Sequence, residues 1–198
     1  MNNQYSPSEF IKNLYSLIMT KLTIRQARLI RRPVYIRGAK SLSGCEGLTT
    51  GRFCRLDLIG TKPTLKIGAD CEFGDMTHIV AYERVEIGNH VLIASKCFIS
   101  DTNHGLYKGE KQDKPEIPPK KRKLVTNPVK IGNNVWIGEN VVILAGSVLG
   151  DGCVVGANSV VSGIYPKNVI IAGTLAKQLK HYDEKKESWM SVNRRYKS

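Results

Sequence analysis

Along the second half of the chain one aliphatic residue returns at every sixth position: Ile131, Ile137, Ile143, Leu149, Val155 and Val161. A glycine or another small residue often follows it, as at Gly132, Gly138, Gly150, Gly156 and Ser162. The position two before carries Val129, Val135, Val141, Ser147, Cys153 and Ser159. This spacing fits neither the 3.6 period of a helix nor an alternation sustained through a hairpin. It predicts short strand, turn, short strand. Each six-residue unit makes one side of a triangular coil, with its aliphatic residue inward and its glycine at a tight turn or a positive φ. Three units complete a coil, and stacked coils share one aliphatic column.

The same signature occurs upstream as Ile67-Gly68, Phe73-Gly74 and Ile79-Val80, then as Ile87-Gly88, Ile93-Ala94 and Ile99-Ser100. The register slips by two residues between these trios, around Glu83 to Glu86. Weaker echoes at Leu42, Leu48 and Cys54 predict irregular early coils, and the solenoid is expected over residues 34–174. One interruption stands out. Ile87 to Ile131 spans 44 residues where a coil needs 18, which leaves 26 for an insertion of about 105–130, beginning after His104. Pro115, Pro118, Pro119 and Pro128, with the run Lys120-Lys121-Arg122-Lys123, exclude that segment from the packed coils. It should project and border a cleft.

The ends follow other rules. Ser6-Pro7-Ser8-Glu9 combines a capping serine, a proline at the first helical position and a glutamate three residues on, leading into Phe10, Ile11, Leu14, Leu17 and Ile18. A helix is expected there, within an N-terminal segment 1–33, with Arg25, Arg28, Arg31 and Arg32 after it. Its apolar face would close the open end of the solenoid or meet another subunit; the alternative is a peripheral contact with an anionic membrane. In the C-terminal segment 175–198, Leu175 to Met190 predicts an amphipathic helix over the last coil, and Arg194-Arg195-Tyr196-Lys197 reads as a solvated tail.

Composition narrows the function classes. The longest apolar stretch, Ile137 to Val161, is broken by Glu139, Asn140 and Asp151, so it cannot be a charge-free membrane span. Met1-Asn2-Asn3-Gln4-Tyr5 carries no basic region with an apolar run and cleavage site, so a cytoplasmic location is expected. Cys45, Cys54, Cys71, Cys97 and Cys153 are scattered with no Cys-x-x-Cys pair and read as reduced, packed residues. Lys plus Arg outnumber Asp plus Glu by 30 to 17, a net charge of +13, which invites an anionic partner without choosing among nucleic acid, membrane and phosphorylated cofactor.

The chain resembles the hexapeptide-repeat acyltransferases, especially those that O-acetylate bacterial lipopolysaccharide and exopolysaccharide sugars. The matching segments are Ile87 to Ala94, Ile99-Ser-Asp-Thr-Asn-His-Gly105, Val129 to Ile143 with its Trp-Ile-Gly block, and Ile170 to Lys177. Together they cover most of residues 65–180. The resemblance implies a mainly β protein, a left-handed parallel β-helix with terminal helices and one long projecting loop, assembled as a homotrimer. It also implies acetyl-CoA as co-substrate in the groove between two columns, and no metal.

A sugar hydroxyl is a poor nucleophile at neutral pH, so attack on a thioester needs a base. The Asp101-Thr-Asn-His104-Gly105 context assigns that role to His104, and direct transfer needs no covalent intermediate on cysteine. Asp101 and Asn103 would orient the imidazole or cap the turn. Asp75 is a weaker candidate for acceptor hydroxyls, its plainer reading being a turn carboxylate. Trp136, in an outward phase, would stack on a sugar ring or cover a subunit contact. The matching coils imply Gly138, Ala145, Gly146, Ala157 and Ser162 along the pantetheine arm, and Lys177 and Lys180 toward the phosphates or adenine. The family commonly has Asn-Pro-Ala-Lys where this chain has Thr174-Leu175-Ala176-Lys177, a departure that bears on Lys177.

Three rivals are weaker. A zinc enzyme on a similar coil would need grouped histidines, and His78, His90, His104 and His181 offer no close pair near His104. A non-catalytic scaffold leaves the His104 loop and the Trp136 block unexplained. Specific nucleic-acid binding has charge but no recognition motif. The expected acceptor is a saccharide, phosphorylated or lipid-linked, reached at the inner face of the membrane; a small sugar, serine or a sugar amine is the alternative.

Overall fold

The inward positions of the sixfold series form a single aliphatic column in the computed structural model, which describes residues 5–60 and 62–192. Ile67, Ile79, Ile93, Ile99, Ile131, Ile137, Ile143, Leu149, Val155, Val161 and Ile171 are buried. Each such side chain contributes about 1.5–3 kcal/mol relative to exposure. Trimming Ile137 to alanine would cost about 3 kcal/mol through lost contacts and an unfilled cavity. The basic tail from Arg194 and the first four residues lie outside the described residues.

Around this column run three stacks of parallel strands. The first face passes through Leu29–Ile30, Thr49–Thr50, Glu72–Phe73, Leu92–Ile93, Trp136–Ile137, Val154–Val155 and Val169–Ala172. The second comprises Val34–Arg37, Cys54–Leu58, His78–Ala81, Phe98–Ser100, Val142–Ile143 and Val160–Val161. The third comprises Leu42–Gly44, Leu65–Ile67, Val85–Ile87, Val129–Ile131, Val148–Leu149 and Ile164–Tyr165. The solenoid therefore starts at Leu29, earlier than the expected residue 34, because Leu29–Ile30 already pairs with Thr49–Thr50.

The repeat glycines have a different cause from the expected positive φ. Left-handed backbone falls three residues before each inward aliphatic residue, at Asn134, Asn140, Gly146, Gly152 and Asn158. Gly138 instead lies so close to the next coil that a Cβ would stand 2.7 Å from the Ala157 nitrogen. Small size there permits the coils to stack. The two-residue slip is a wider corner at Tyr82-Glu83-Arg84, whose three N–H groups all donate to the Asp101 carboxyl of the following coil, at 2.8–3.1 Å.

Helix α1 (Pro7–Thr23) has the expected capping box at Ser6 and Glu9. Of the three readings of its apolar face, closure of the solenoid end is the one the structure does not have. The buried residues are Ser16 and Thr20, whose hydroxyls accept the N–H of Arg32 at 3.1 Å and of Ile30 at 2.9 Å, satisfying donors at the start of the first coil. Phe10, Ile11, Leu14, Ile18 and Leu22 stand outward. At the other end the expected helix Leu175 to Met190 is absent. Lys177–Asp183 pairs antiparallel with Val169–Ala172, and Ser188–Ser191 pairs with it in turn. The last coil offers a row of unpaired backbone groups, and a returning strand satisfies them where a helix could not.

Candidate active site

The insertion begins before His104. Thr102–His104 and Leu124–Thr126 form an antiparallel stem, with Thr102 opposite Thr126 and His104 opposite Leu124. The stem is anchored at its root by the Asn127 N–H, which donates to the Asp101 carbonyl at 2.8 Å. Beyond it, the loop folds around Arg122, which donates to Tyr107 Oη at 2.7 Å and to the Ile117 and Pro115 carbonyls at 2.8 and 3.0 Å. Tyr107 in turn donates to the His104 carbonyl. The backbone on both sides of His104 is thereby held while its side chain stays exposed. Among the described residues nothing hydrogen-bonds its imidazole.

Alternation along the stem sends neighbours to opposite sides. Thr102 and His104 line a cleft of about 420 Å³ on the second face, together with Ser100, Phe98, Val80 and Tyr82. Asn103 lines a separate cleft of about 260 Å³ with Leu106, Tyr107, Leu144, Ala145 and Ser162. The Asp101 carboxyl is buried at the corner described above and reaches neither. Of its two readings, turn cap or imidazole partner, the structure has the turn cap. Asp75 likewise caps a turn, accepting the Arg52 N–H at 2.6 Å, and the His104 cleft is lined without it. Trp136 projects from the first face, 53% exposed, beside Leu92.

At the far end of the His104 cleft stands a group that sequence reasoning missed: Arg37, Arg55, Asp57 and His78. Arg55 Nε donates to Asp57 Oδ2 at 2.6 Å and His78 Nε2 donates to the same oxygen at 3.0 Å. Arg37 Nε lies 3.5 Å from Asp57 Oδ1, an ion pair without a hydrogen bond. Burial opposes ionisation of Asp57, but the bonds from Arg55 and His78 and the charges of Arg55 and Arg37 outweigh it and hold the carboxyl below its ordinary range. His78 also packs against Phe98, ring centroids 5.2 Å apart. The available signal was phase: Arg55 and Asp57 alternate with inward Cys54, Leu56 and Leu58, so they share an outward face with His78.

A protein of Escherichia coli strain K12 named "Putative lipopolysaccharide biosynthesis O-acetyl transferase WbbJ" is 41% identical over 187 residues, 94% of this chain and 95% of that one. Residues 128–163 match the family described as bacterial transferase hexapeptide (six repeats). The chain belongs to the hexapeptide-repeat acyltransferases. Among solved structures, galactoside acetyltransferase in complex with coenzyme A is 25% identical with a TM-score of 0.55, covering 97% of this chain and 82% of that one. AntD, an N-acyltransferase from Bacillus cereus in complex with dTDP and 3-hydroxybutyryl-CoA, shares the fold, with a TM-score of 0.68 at 24% identity over 93% of each chain.

For this acyltransferase the residues matched to the pantetheine arm divide between two corners. Gly138 and Ala157 stack at the corner between the first and second faces. Lys177 extends that row, opposite Ala172, and Lys180 stands opposite Ile170; both are exposed. The turn without proline is held by the Ala176 N–H, which donates to the Val160 carbonyl at 2.7 Å. Ala145, Gly146 and Ser162 lie instead between the second and third faces, beside the stem, where Gly146 N–H donates to the Asn127 carbonyl at 3.0 Å. The five cysteines are buried, and burial pushes the thiols up, Cys45 to about 12 and Cys54 to about 11. A thiol so held carries little thiolate at neutral pH and is a poor acyl acceptor.

Proposed function

We propose that the protein transfers acetyl from acetyl-CoA to a sugar hydroxyl in lipopolysaccharide O-antigen or exopolysaccharide biosynthesis, with His104 as general base. The observation that carries this reading is an exposed imidazole on a fixed backbone, without a hydrogen-bonding partner among the described residues, lining a cleft of about 420 Å³. The neutral ring takes the hydroxyl proton as the oxygen attacks the thioester carbonyl, and the resulting imidazolium returns a proton to the departing CoA sulfur. Phe98, Val80 and Leu124 offer an apolar wall and Ser100 and Thr102 hydroxyls beside it.

The protein acts as a homotrimer in this proposal, with acetyl-CoA between neighbouring columns. Support comes from the division of small residues between two corners: a groove flanked by one corner from each subunit would use both rows. Trp136, which stands on another face from His104, would then meet the acceptor held by a neighbour. The acceptor would be met at the cytoplasmic face of the membrane. His104→Ala should lower the acetyl-transfer rate by about 10²–10⁴-fold while leaving CoA affinity unchanged, because only proton transfer is removed. An unchanged rate, read as CoA release against a saccharide panel, would remove His104 from the mechanism.

A further inference from the structure

Two columns of outward side chains run along the second face below His104. Arg55, His78 and Phe98 are in register from coil to coil, as are Arg37, Asp57, Val80 and Ser100. With coil spacing of roughly 4.8 Å, Arg37 lies about three steps or 14 Å from Ser100, where the stem that carries His104 begins. The cleft thus has a cationic end and a reacting end, separated by a wall suited to one sugar ring.

The cationic end is set up to hold an anion. Among the described residues Asp57 is the only carboxylate lining the cleft, and its side chain is 14% exposed, whereas Arg55 and Arg37 are 45% and 75% exposed. Asp57 engages Arg55 through Nε, and among the described residues neither terminal amino group of Arg55 has a hydrogen-bond acceptor. A guanidinium pinned at Nε keeps a planar fork of two N–H groups free, the geometry that binds phosphate oxygens in pairs. Two guanidinium charges against one carboxylate leave a net positive site even with His78 neutral.

We propose that Arg37 and Arg55 bind the diphosphate of a sugar-diphosphate acceptor whose sugar hydroxyl is presented to His104, with Asp57 as the positioning residue for Arg55. This rests on the saccharide acetyltransferase reading and specifies it: the acceptor is acetylated while still activated, before the glycosyl transfer that would release its diphosphate. The diphosphate can come from a nucleotide or from a polyprenyl lipid, and the chemistry at the arginines is the same.

The test is a binding measurement that needs no turnover. UDP, farnesyl diphosphate and the neutral sugar methyl galactoside are titrated calorimetrically into wild type, His104→Ala and the double variant Arg37→Gln/Arg55→Gln. At least one diphosphate should bind wild type and His104→Ala alike, and more tightly than the glycoside. The double variant should lose about 10–100-fold for that diphosphate, the worth of one charge-assisted hydrogen-bonded contact. Which diphosphate binds identifies the nucleotide or lipid source. Arg55→Lys, which keeps the charge without the fork, should recover only part of the affinity. The proposal is overturned if neither diphosphate outbinds the glycoside, or if the double variant, with its melting temperature unchanged, binds as wild type does. Diphosphate binding intact alongside full acetyl transfer by His104→Ala would sink the assigned base and leave this subsite standing.

Discussion

Asp101 belongs to the segment that most resembles an active site, yet its work is architectural. Its carboxyl collects the N–H groups of Tyr82, Glu83 and Arg84, and its own carbonyl receives the Asn127 N–H at the root of the stem. Asp101→Ala would leave three corner donors unpaired, and a single unsatisfied buried donor already costs about 1–3 kcal/mol. We expect a loss of about 3 kcal/mol in urea unfolding, with Asp101→Asn intermediate because one acceptor oxygen survives. A wild-type midpoint for Asp101→Ala would show that the corner does not depend on it. The carboxyl is linked to the sequence through the two-residue slip at Glu83 to Glu86, which marks the same corner. What the slip could not reveal is that the cap comes from a residue about a coil away in the chain.

At the scale of elements, the coils were legible because a sixfold return of aliphatic residues has one compact solution, and the capping box announced α1 just as plainly. The faces of α1 were not. Apolar spacing at Phe10, Ile11, Leu14 and Ile18 suggested a helix packed by that face, whereas Ser16 and Thr20 go inward because the first coil presents bare N–H groups that only polar side chains satisfy. The C-terminal helix failed for the same reason: strand edges at the ends of a solenoid demand backbone partners, a requirement invisible to local amphipathicity. The outward face of α1, with Phe10 62%, Ile11 66% and Leu22 73% exposed beside exposed Lys12 and Arg25, suits an anionic bilayer surface, in keeping with the proposed membrane-side acceptor. Flotation with vesicles containing anionic lipid should recover wild type and lose Phe10→Ser/Ile11→Ser/Leu22→Ser. A variant that floats normally, or one whose native mass changes instead, would make this face a subunit contact and end the membrane reading.

For the whole molecule, the candidate residues are distributed over different faces of one column. His104 leaves the second face at the stem near Ala145, Gly146 and Ser162, while Gly138, Ala157 and the Lys177 row occupy the corner on the other side of that face, and Trp136 lies on the first face. Sequence similarity could supply this set but not its division, because a match along the chain carries no information on which subunit each residue serves. If the groove joins two subunits, defects at its two sides complement each other. Ala157→Trp fills the exposed small-residue row, and His104→Ala removes the base. Each alone should leave little transfer. In mixed trimers, an interface works when the subunit offering the base carries only Ala157→Trp and its neighbour offers the intact row through carrying only His104→Ala. Random assembly of a closed three-membered ring from equal amounts then restores about a quarter of the wild-type rate. The measurement is acetyl transfer by co-refolded chains, set against the same two variants refolded separately and then mixed. No recovery on co-refolding, from trimers of confirmed mass, would mean that the row and the base serve the same site within one subunit, and the pantetheine arm would have to be reassigned to a single corner.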